Sequence, residues 1–348
     1  MKKVCFLPIA DISNEYVYLM CKAIDRVGYE LTDETDFFSM LDADVIHFNW
    51  YEGLPIRRDL AKATRQYWVK MFKLWLLKLF GKKLVVTVHN NTIYDGEYEE
   101  KCHKLMKWLL DNSDSIVIHC KESLKVIEKF GADVKKAHYV PHPNLVGLYE
   151  DCEEFDDYIK QPNDFIVLYL GTVRPEKHVE TVIKVAERLV DKEDIKILIC
   201  GRTKTAKYTN EIDELINTDN IKTAFRFIED EEIPSILRMS DALLLPYRTN
   251  STLNSAPAFL AFAHGRTIIS SDSGTAKDYA EDGLIYMYEY SEDEAIHEER
   301  MEASINQAYD DFVNDPEGYK AKGAQLLARV KKENSLREVG RRLKEIYE

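Results

Sequence analysis

What this chain lacks narrows its function early. It has no apolar stretch of about 18 residues, so no membrane-spanning helix is expected. Its six cysteines, at 5, 21, 102, 120, 152 and 200, are scattered, and no CxxC pair occurs. Such spacing speaks against a metal finger or a disulfide framework and for reduced thiols, as expected of a cytoplasmic protein. Cys5 and Cys200 sit in apolar runs and read as small buried hydrophobes. An excess of positive charge is missing too: 47 Lys and Arg stand against 61 Asp and Glu, a net charge of −14. General nucleic-acid binding needs a basic face, so no nucleic-acid partner is expected. No Asp-x-Asp motif stands between apolar runs, although Asp42-Ala43-Asp44 precedes one. The N-terminus enters an apolar run at once (VCFLPIA), so no secretion signal is expected.

What is present is a regular alternation. In the first half, short apolar runs at 4–9, 44–48, 84–88, 116–119 and 138–140 predict strands. Helical patterns fill the gaps at 15–27, 57–80, 97–110 and 122–130, with Gly28, Gly81 and Gly131 as stops. The second half repeats the scheme, with strands at 165–170, 195–200, 223–228, 242–245 and 267–270. Strands alternating with helices, and apolar throughout, imply α/β architecture with parallel sheets covered on both faces. A length of 348 residues suits two domains. An acidic, proline-containing stretch, 150–163, reads as the linker between residues 1–149 and 164–325. From about 293 the chain is helical in pattern, with expected breaks at Gly323 and Asn334-Ser335 and a terminal helix over 326–348.

Ligands of open parallel sheets bind outside the C-terminal strand ends. Among the loops there, Gly171-Thr172-Val173-Arg174-Pro175-Glu176-Lys177 stands out. It follows an apolar strand and precedes an amphipathic helix at 179–189. Glycine allows the turn, and two cations then stand at a helix start whose free N–H groups favour anions, a combination that suits a diphosphate. An ordinary βα loop with surface charges is the plainer alternative. A second polar loop, Pro246 to Pro257, ends at an apolar helix. Asn254 or Ser255 could cap that helix, or its free N–H groups could hold a phosphate.

These phrases resemble the donor domain of GT-B fold glycosyltransferases, family-4-like (glycosyltransferase group 1). The resemblance rests on Gly171 to Lys177, on Phe227-Ile228-Glu229-Asp230 through Asp241 to Tyr247, and on Ile268 to Gly274. In the first half, Val45 to Glu52, Thr87 to Asn90 and Val140 to Asn144 resemble exopolysaccharide-type members. The resemblance implies two Rossmann-like domains whose parallel sheets face across a cleft, the first binding acceptor and the second binding a nucleotide-sugar donor. It implies that Arg174 and Lys177 neutralise the departing diphosphate, and that Gly171 and Thr172 admit it closely. Gly201, Arg202, Phe227 and Ile228 would line the nucleoside pocket. Asn254, Ser255 and Ala256 would hold the distal phosphate, with Thr252 beside them. His89 would lie near the transferred sugar, Asp11, Asn14, Trp50, Glu52, Asn90, Asn91, Asp95 and His142 would serve the acceptor, and the terminal helix would pack back on the first domain. One departure is clear: family members carry two glutamates eight positions apart where this chain has Thr252 and Leu260.

Read as residues alone, His89 has as its plainer alternative a satisfied histidine at a buried strand end. His47, flanked by strand residues, reads as structural, and His119 and His142 stay open. A retaining transfer, the expected outcome, needs no protein base. An inverting one needs a positioned carboxylate or histidine, for which Asp11, Glu52, Asp95 and His89 are candidates.

Residues 57–83 hold nine cations and one acid, Asp59, so the segment is +8 and the rest of the chain −22. Tyr67, Trp68, Phe72, Trp75 and Phe80 are interleaved. A basic, aromatic, amphipathic helix reads as a membrane-surface element, and its alternative is a helix packed on the sheet with a solvated basic face. The expectation is therefore a transferase of cell-surface polysaccharide synthesis at the inner face of the membrane. It would use UDP- or GDP-sugar as substrate, with no cofactor and no metal, and a saccharide or lipid-linked oligosaccharide as acceptor. The rivals are a sugar-nucleotide epimerase of the same architecture and a two-lobed, non-catalytic sugar-binding protein.

Overall fold

The computed structural model describes residues 2–8, 14–32, 37–54, 60–91, 97–149, 153–249 and 252–348. The chain forms two compact units, one of residues 1–143 with 333–348, the other of residues 144–332.

The first unit holds six parallel strands: β1 (Lys3–Leu7), β2 (Glu30–Leu31), β3 (Val45–Asn49), β4 (Lys83–Thr87), β5 (Ser115–Ile118) and β6 (Ala137–Tyr139). Their order across the sheet is β2-β1-β3-β4-β5-β6. The chain leaves β1 in one direction to β2 and returns on the other side at β3, so the order reverses between β1 and β3. Ligand crevices form at such reversals. Val4, Phe6, Val45, Val85 and Val117 supply the buried face. Val17, Met20 and Ile24 of the helix Glu15–Arg26 and Val339, Leu343 and Tyr347 of the helix Leu336–Tyr347 pack against it.

The second unit repeats the design with β7 (Phe165–Leu170), β8 (Ile195–Cys200), β9 (Ile221–Ala224), β10 (Ala242–Leu245), β11 (Thr267–Ser271) and β12 (Tyr286–Tyr288), in the order β12-β11-β10-β7-β8-β9. Here the order reverses between β7 and β10. The loops that follow those two strands are the two that the sequence singles out.

Three expectations need correction. The stretch expected to link the domains is packed: Phe155 is buried, the Phe155 amide donates to Ser235 Oγ, and Asp157 pairs with Arg226. An aromatic among the acids anchors it, and the second unit begins at Asn144. The helix Pro316–Glu333 runs through Gly323 without a break. A Cβ there would stand 2.0 Å from the Gly265 carbonyl oxygen, so this glycine serves close packing. The chain therefore returns to the first unit at 333 and not at 326.

Candidate functional site

In the second unit, the turns after β7 and β8 lie backbone to backbone. Gly171 and Gly201 both adopt φ near +144 and +143, which side chains resist. A Cβ on Gly201 would fall 1.8 Å from the Gly171 carbonyl oxygen, while a Cβ on Gly171 would meet nothing within 4 Å. The first glycine is thus fixed by packing, and the second faces open space. The turns are zipped further by hydrogen bonds, the Gly171 amide donating to Cys200 O and the Val173 amide to Arg202 O, both at 3.0 Å. Tyr169 Oη donates to Thr172 O at 2.9 Å.

Arg174 is exposed and opens a 3-10 turn, Pro175–Lys177. Lys177 Nζ lies 4.1 Å from the centre of the Tyr247 ring, a cation–π contact that joins the loop after β7 to the loop after β10. Burial raises the Tyr247 phenol to about 12, which keeps it neutral. Cations thus stand where the strand order reverses.

The helix Ala256–Ala263 is capped by Ser255, whose Oγ accepts from the Ala258 amide at 3.4 Å. The Ser255 amide itself donates to Thr275 Oγ1 at 3.1 Å. Pro257 brings no N–H. The expected cradle of amides at 254–256 therefore loses its Ser255 member. In its place Asn254 presents both side-chain polar atoms buried and without a partner among the described residues. A buried amide left in that state is costly, so a group that pairs with it is called for. Thr252 is half-buried, and Leu260 is buried in the helix.

A cavity of about 410 Å3 opens beside β8 and β9, lined by Arg202, Thr203, Lys204, Phe225, Arg226 and Phe227 among others. Arg226 is held by Asp157 and Glu232. Ile228, expected on this wall, is buried and does not line the cavity.

In the first unit the strand ends gather a network that the sequence does not announce. Asn49, the last residue of β3, donates through Nδ2 to Leu7 O at 2.9 Å, which turns its Oδ1 outward. That oxygen lies 2.9 Å from His89 Nε2. An amide oxygen only accepts, so His89 carries its proton on Nε2 and offers Nδ1 as an acceptor. His119 Nδ1 donates to Val140 O at 2.7 Å, which leaves its Nε2 to accept from Tyr16 Oη at 2.9 Å. His142 Nδ1 donates to Pro143 O at 2.8 Å. His47 lies between Tyr347 Oη (2.6 Å) and Thr87 Oγ1 (2.7 Å), a structural role.

Burial drives these imidazoles toward the neutral form, His119 to about 4 and His47 and His142 to about 3. His89 is pushed well down, by burial first and then by its histidine neighbours. Near pH 7, His89 is therefore a neutral ring. Trp50 stacks on it, centroids 4.0 Å apart and planes at 21°. Trp50 holds φ +50, a left-handed conformation that costs a non-glycine residue and tends to mark functional sites.

Other expected acceptor residues behave differently. Asn14 is the cap of the helix Glu15–Arg26, its Oδ1 accepting from the amides of Tyr16 and Val17. Glu52 is buried and its carboxyl is pushed up by that burial. Asn90 is exposed and Asn91 half-buried. Asp11 and Asp95 lie outside the described residues. Tyr16 and Asn49 are the hub that sequence reasoning missed. Their signal was faint: an asparagine closing an apolar strand just before an aromatic. Among the described residues no three His, Cys, Asp or Glu side chains converge as metal ligands, and no helix is long and apolar enough to cross a membrane.

Comparison with known proteins agrees with this architecture. Residues 151–323 match the family model described as Glycosyl transferases group 1. A 2-deoxystreptamine N-acetyl-D-glucosaminyltransferase of Niallia circulans is 28% identical over 254 residues, 63% of this chain and 64% of that protein. The match thus spans less than two thirds of that relative's length. Anabaena Alr3699/HepE, solved in complex with UDP and glucose, superposes with a TM-score of 0.69 at 12% identity over 99% of this chain and 98% of its own. Sucrose-phosphate synthase of Thermosynechococcus elongatus gives 0.72 at 14% identity, over 100% and 98%. These likenesses show the fold: an α/β chain of two Rossmann-like units, GT-B.

Proposed function

We propose that this chain, whose residues 151–323 match the glycosyl transferases group 1, moves a sugar from a nucleotide diphosphate sugar to a saccharide or lipid-linked acceptor. The observation that carries this reading is the pair Arg174 and Lys177 at the strand-order reversal of the second unit, beside Gly171 and its open face. Positive charge placed where a leaving diphosphate gathers negative charge stabilises the transition state, often the largest catalytic effect. The backbone of Gly171 lets phosphate oxygens approach, and the Asn254 amide, without a partner among the described residues, supplies a donor and an acceptor in the loop after β10. The cavity at Arg202 and Phe227 suits a nucleobase stacked on the exposed phenyl ring. UDP and GDP are the nucleotides to test first, with no cofactor and no metal required.

The first unit takes the acceptor. His89 enters as a neutral ring that accepts a hydroxyl hydrogen bond through Nδ1. Asn49 fixes its tautomer, and Trp50 offers an aromatic face to sugar C–H groups. The course we infer is retaining, where the leaving phosphate takes the acceptor proton and no protein base is needed. The exposed basic helix Leu60–Leu79 supports a site at the inner membrane surface and a role in cell-surface polysaccharide synthesis.

The test is release of UDP or GDP from a panel of nucleotide sugars, with and without membrane extract as acceptor. Acceptor-dependent release with one nucleotide is expected. Isomerised sugar nucleotide without any acceptor would point to the epimerase instead.

A further inference from the structure

A cavity of about 770 Å3 lies between the loop after β3 and the helix Leu60–Leu79, the size of a site for a substantial ligand. Four cations line it, Lys62, Arg65, Lys70 and Lys73, and among the described residues none of its lining side chains is acidic. Lys70 is already engaged. Its Nζ donates to Tyr51 O at 2.7 Å and Gly53 O at 2.6 Å, and it lies over the Tyr51 ring. It thereby ties the helix to the Trp50 loop. Arg65 and Lys73 have no acidic partner among the described residues. Burial lowers the Lys70 pKa, while the buried Glu52 carboxyl favours its charged form. Gln66 also lines the cavity, and its Oε1 is buried with no partner among the described residues. An amide oxygen in that state accepts from a hydroxyl, so the wall reads both an anion and a sugar.

Arg65, Val69 and Lys73 are shared with a second cavity of about 580 Å3, otherwise lined by Phe37, Trp68, Phe72 and Leu76. The cationic cavity and an apolar groove thus share one stretch of the helix. Outside both, Trp75, Leu79 and Phe80 are more than half exposed, as are Trp68 and Phe72. An apolar patch of this extent on a cationic helix suits the interface of an anionic bilayer. Residues 60–83 carry seven cations and no acid in a chain of net charge −14.

We propose that this double cavity is the acceptor subsite and that it binds a saccharide carried on a lipid phosphate or diphosphate. The phosphate lies against Arg65 and Lys73, a sugar hydroxyl meets Gln66, and the lipid chain runs along Trp68 and Phe72. The inference rests on the transferase reading for its name but not for its measurement. A cationic amine acceptor, such as the 2-deoxystreptamine in the name of the Niallia relative, would be repelled by the same wall.

The experiment is flotation of the full chain with phosphatidylcholine vesicles. One set contains a polyprenyl diphosphate and another contains phosphatidylglycerol at the same surface charge. Inorganic pyrophosphate serves as the soluble competitor. Strong flotation is expected only with the polyprenyl diphosphate, weakened at least tenfold in Arg65→Glu/Lys73→Glu and in Trp68→Ser/Phe72→Ser. Stabilisation of both variants by UDP or GDP should match the parent, showing that they fold. Equal flotation with phosphatidylglycerol would overturn the subsite in favour of a general charged surface. Variants that float as well as the parent, or full displacement by stoichiometric pyrophosphate, would overturn it too. Loss of nucleotide stabilisation in the parent with flotation intact would sink the transferase reading and leave the lipid phosphate site standing.

Discussion

At the scale of single residues, the account turns on a few positions whose side chains, or lack of them, have one physical reason. Arg174 and Lys177 were legible because their chemistry is local: strand, glycine, two cations and helix follow one another within a few positions. Replacing both with alanine should lower kcat about 10²–10³-fold or more while the fold is kept, because Arg174 is exposed and the Lys177 contact with the Tyr247 ring contributes only about 0.5–2 kcal/mol. Unchanged turnover would remove the diphosphate role. Gly201 is the opposite kind of residue. Its Cβ would sit 1.8 Å from the Gly171 carbonyl oxygen, so Gly201→Ala should cost more than about 2 kcal/mol in urea unfolding. A cost below half of that would show that the two turns are not packed as described. The hub of Tyr16, Asn49 and His119 was not legible, since Tyr16 and His119 are 103 positions apart and only the folded sheet brings them together.

At the scale of elements, the apolar runs located nine of the twelve strands described, most of them buried parallel strands that need continuous hydrophobicity, but the run at 223–228 overlaps β9 (Ile221–Ala224) by only two residues. β2 and β12 are two and three residues long, too short to carry a pattern. Gly323 was misread for a different reason. Local propensity marks glycine as a helix stop, but packing of the helix Pro316–Glu333 on the Gly265 turn demands its missing side chain. Gly323→Ala should therefore destabilise by about 1–3 kcal/mol although alanine favours helix, and a stabilised variant would contradict that packing.

The strand ends of the first unit also set a pH dependence. His47, His119 and His142 titrate near 3–4 in the fold and near 6.5 when exposed. Between pH 6.5 and 4 the unfolded chain takes up protons that the folded chain refuses, so stability is full above pH 6.5 and falls as pH drops. Each such histidine weakens the fold by up to roughly 2 kcal/mol at pH 5. The urea midpoint should decline from pH 7 to pH 5, a range above most carboxylate titration. A flat midpoint would mean that these rings are hydrated.

At the scale of the whole molecule, two-unit organisation followed from length and from the repeated alternation, but the seams did not. An acidic run looks like a linker by composition, yet the buried Phe155 anchors it. The charge separation, +8 in residues 57–83 against −22 elsewhere, was plain in the sequence. The role proposed for that charge rests on the exposed aromatics together with the lining of the two cavities. The central claim is that the second unit binds a nucleotide diphosphate through Arg174 and Lys177. Titration calorimetry of the full chain with UDP, GDP and ADP tests it most directly, with the Arg174→Ala/Lys177→Ala variant in parallel. One nucleoside diphosphate should bind, and the variant should bind it at least tenfold more weakly. Binding of none of them, or equal binding by the variant, would contradict the account.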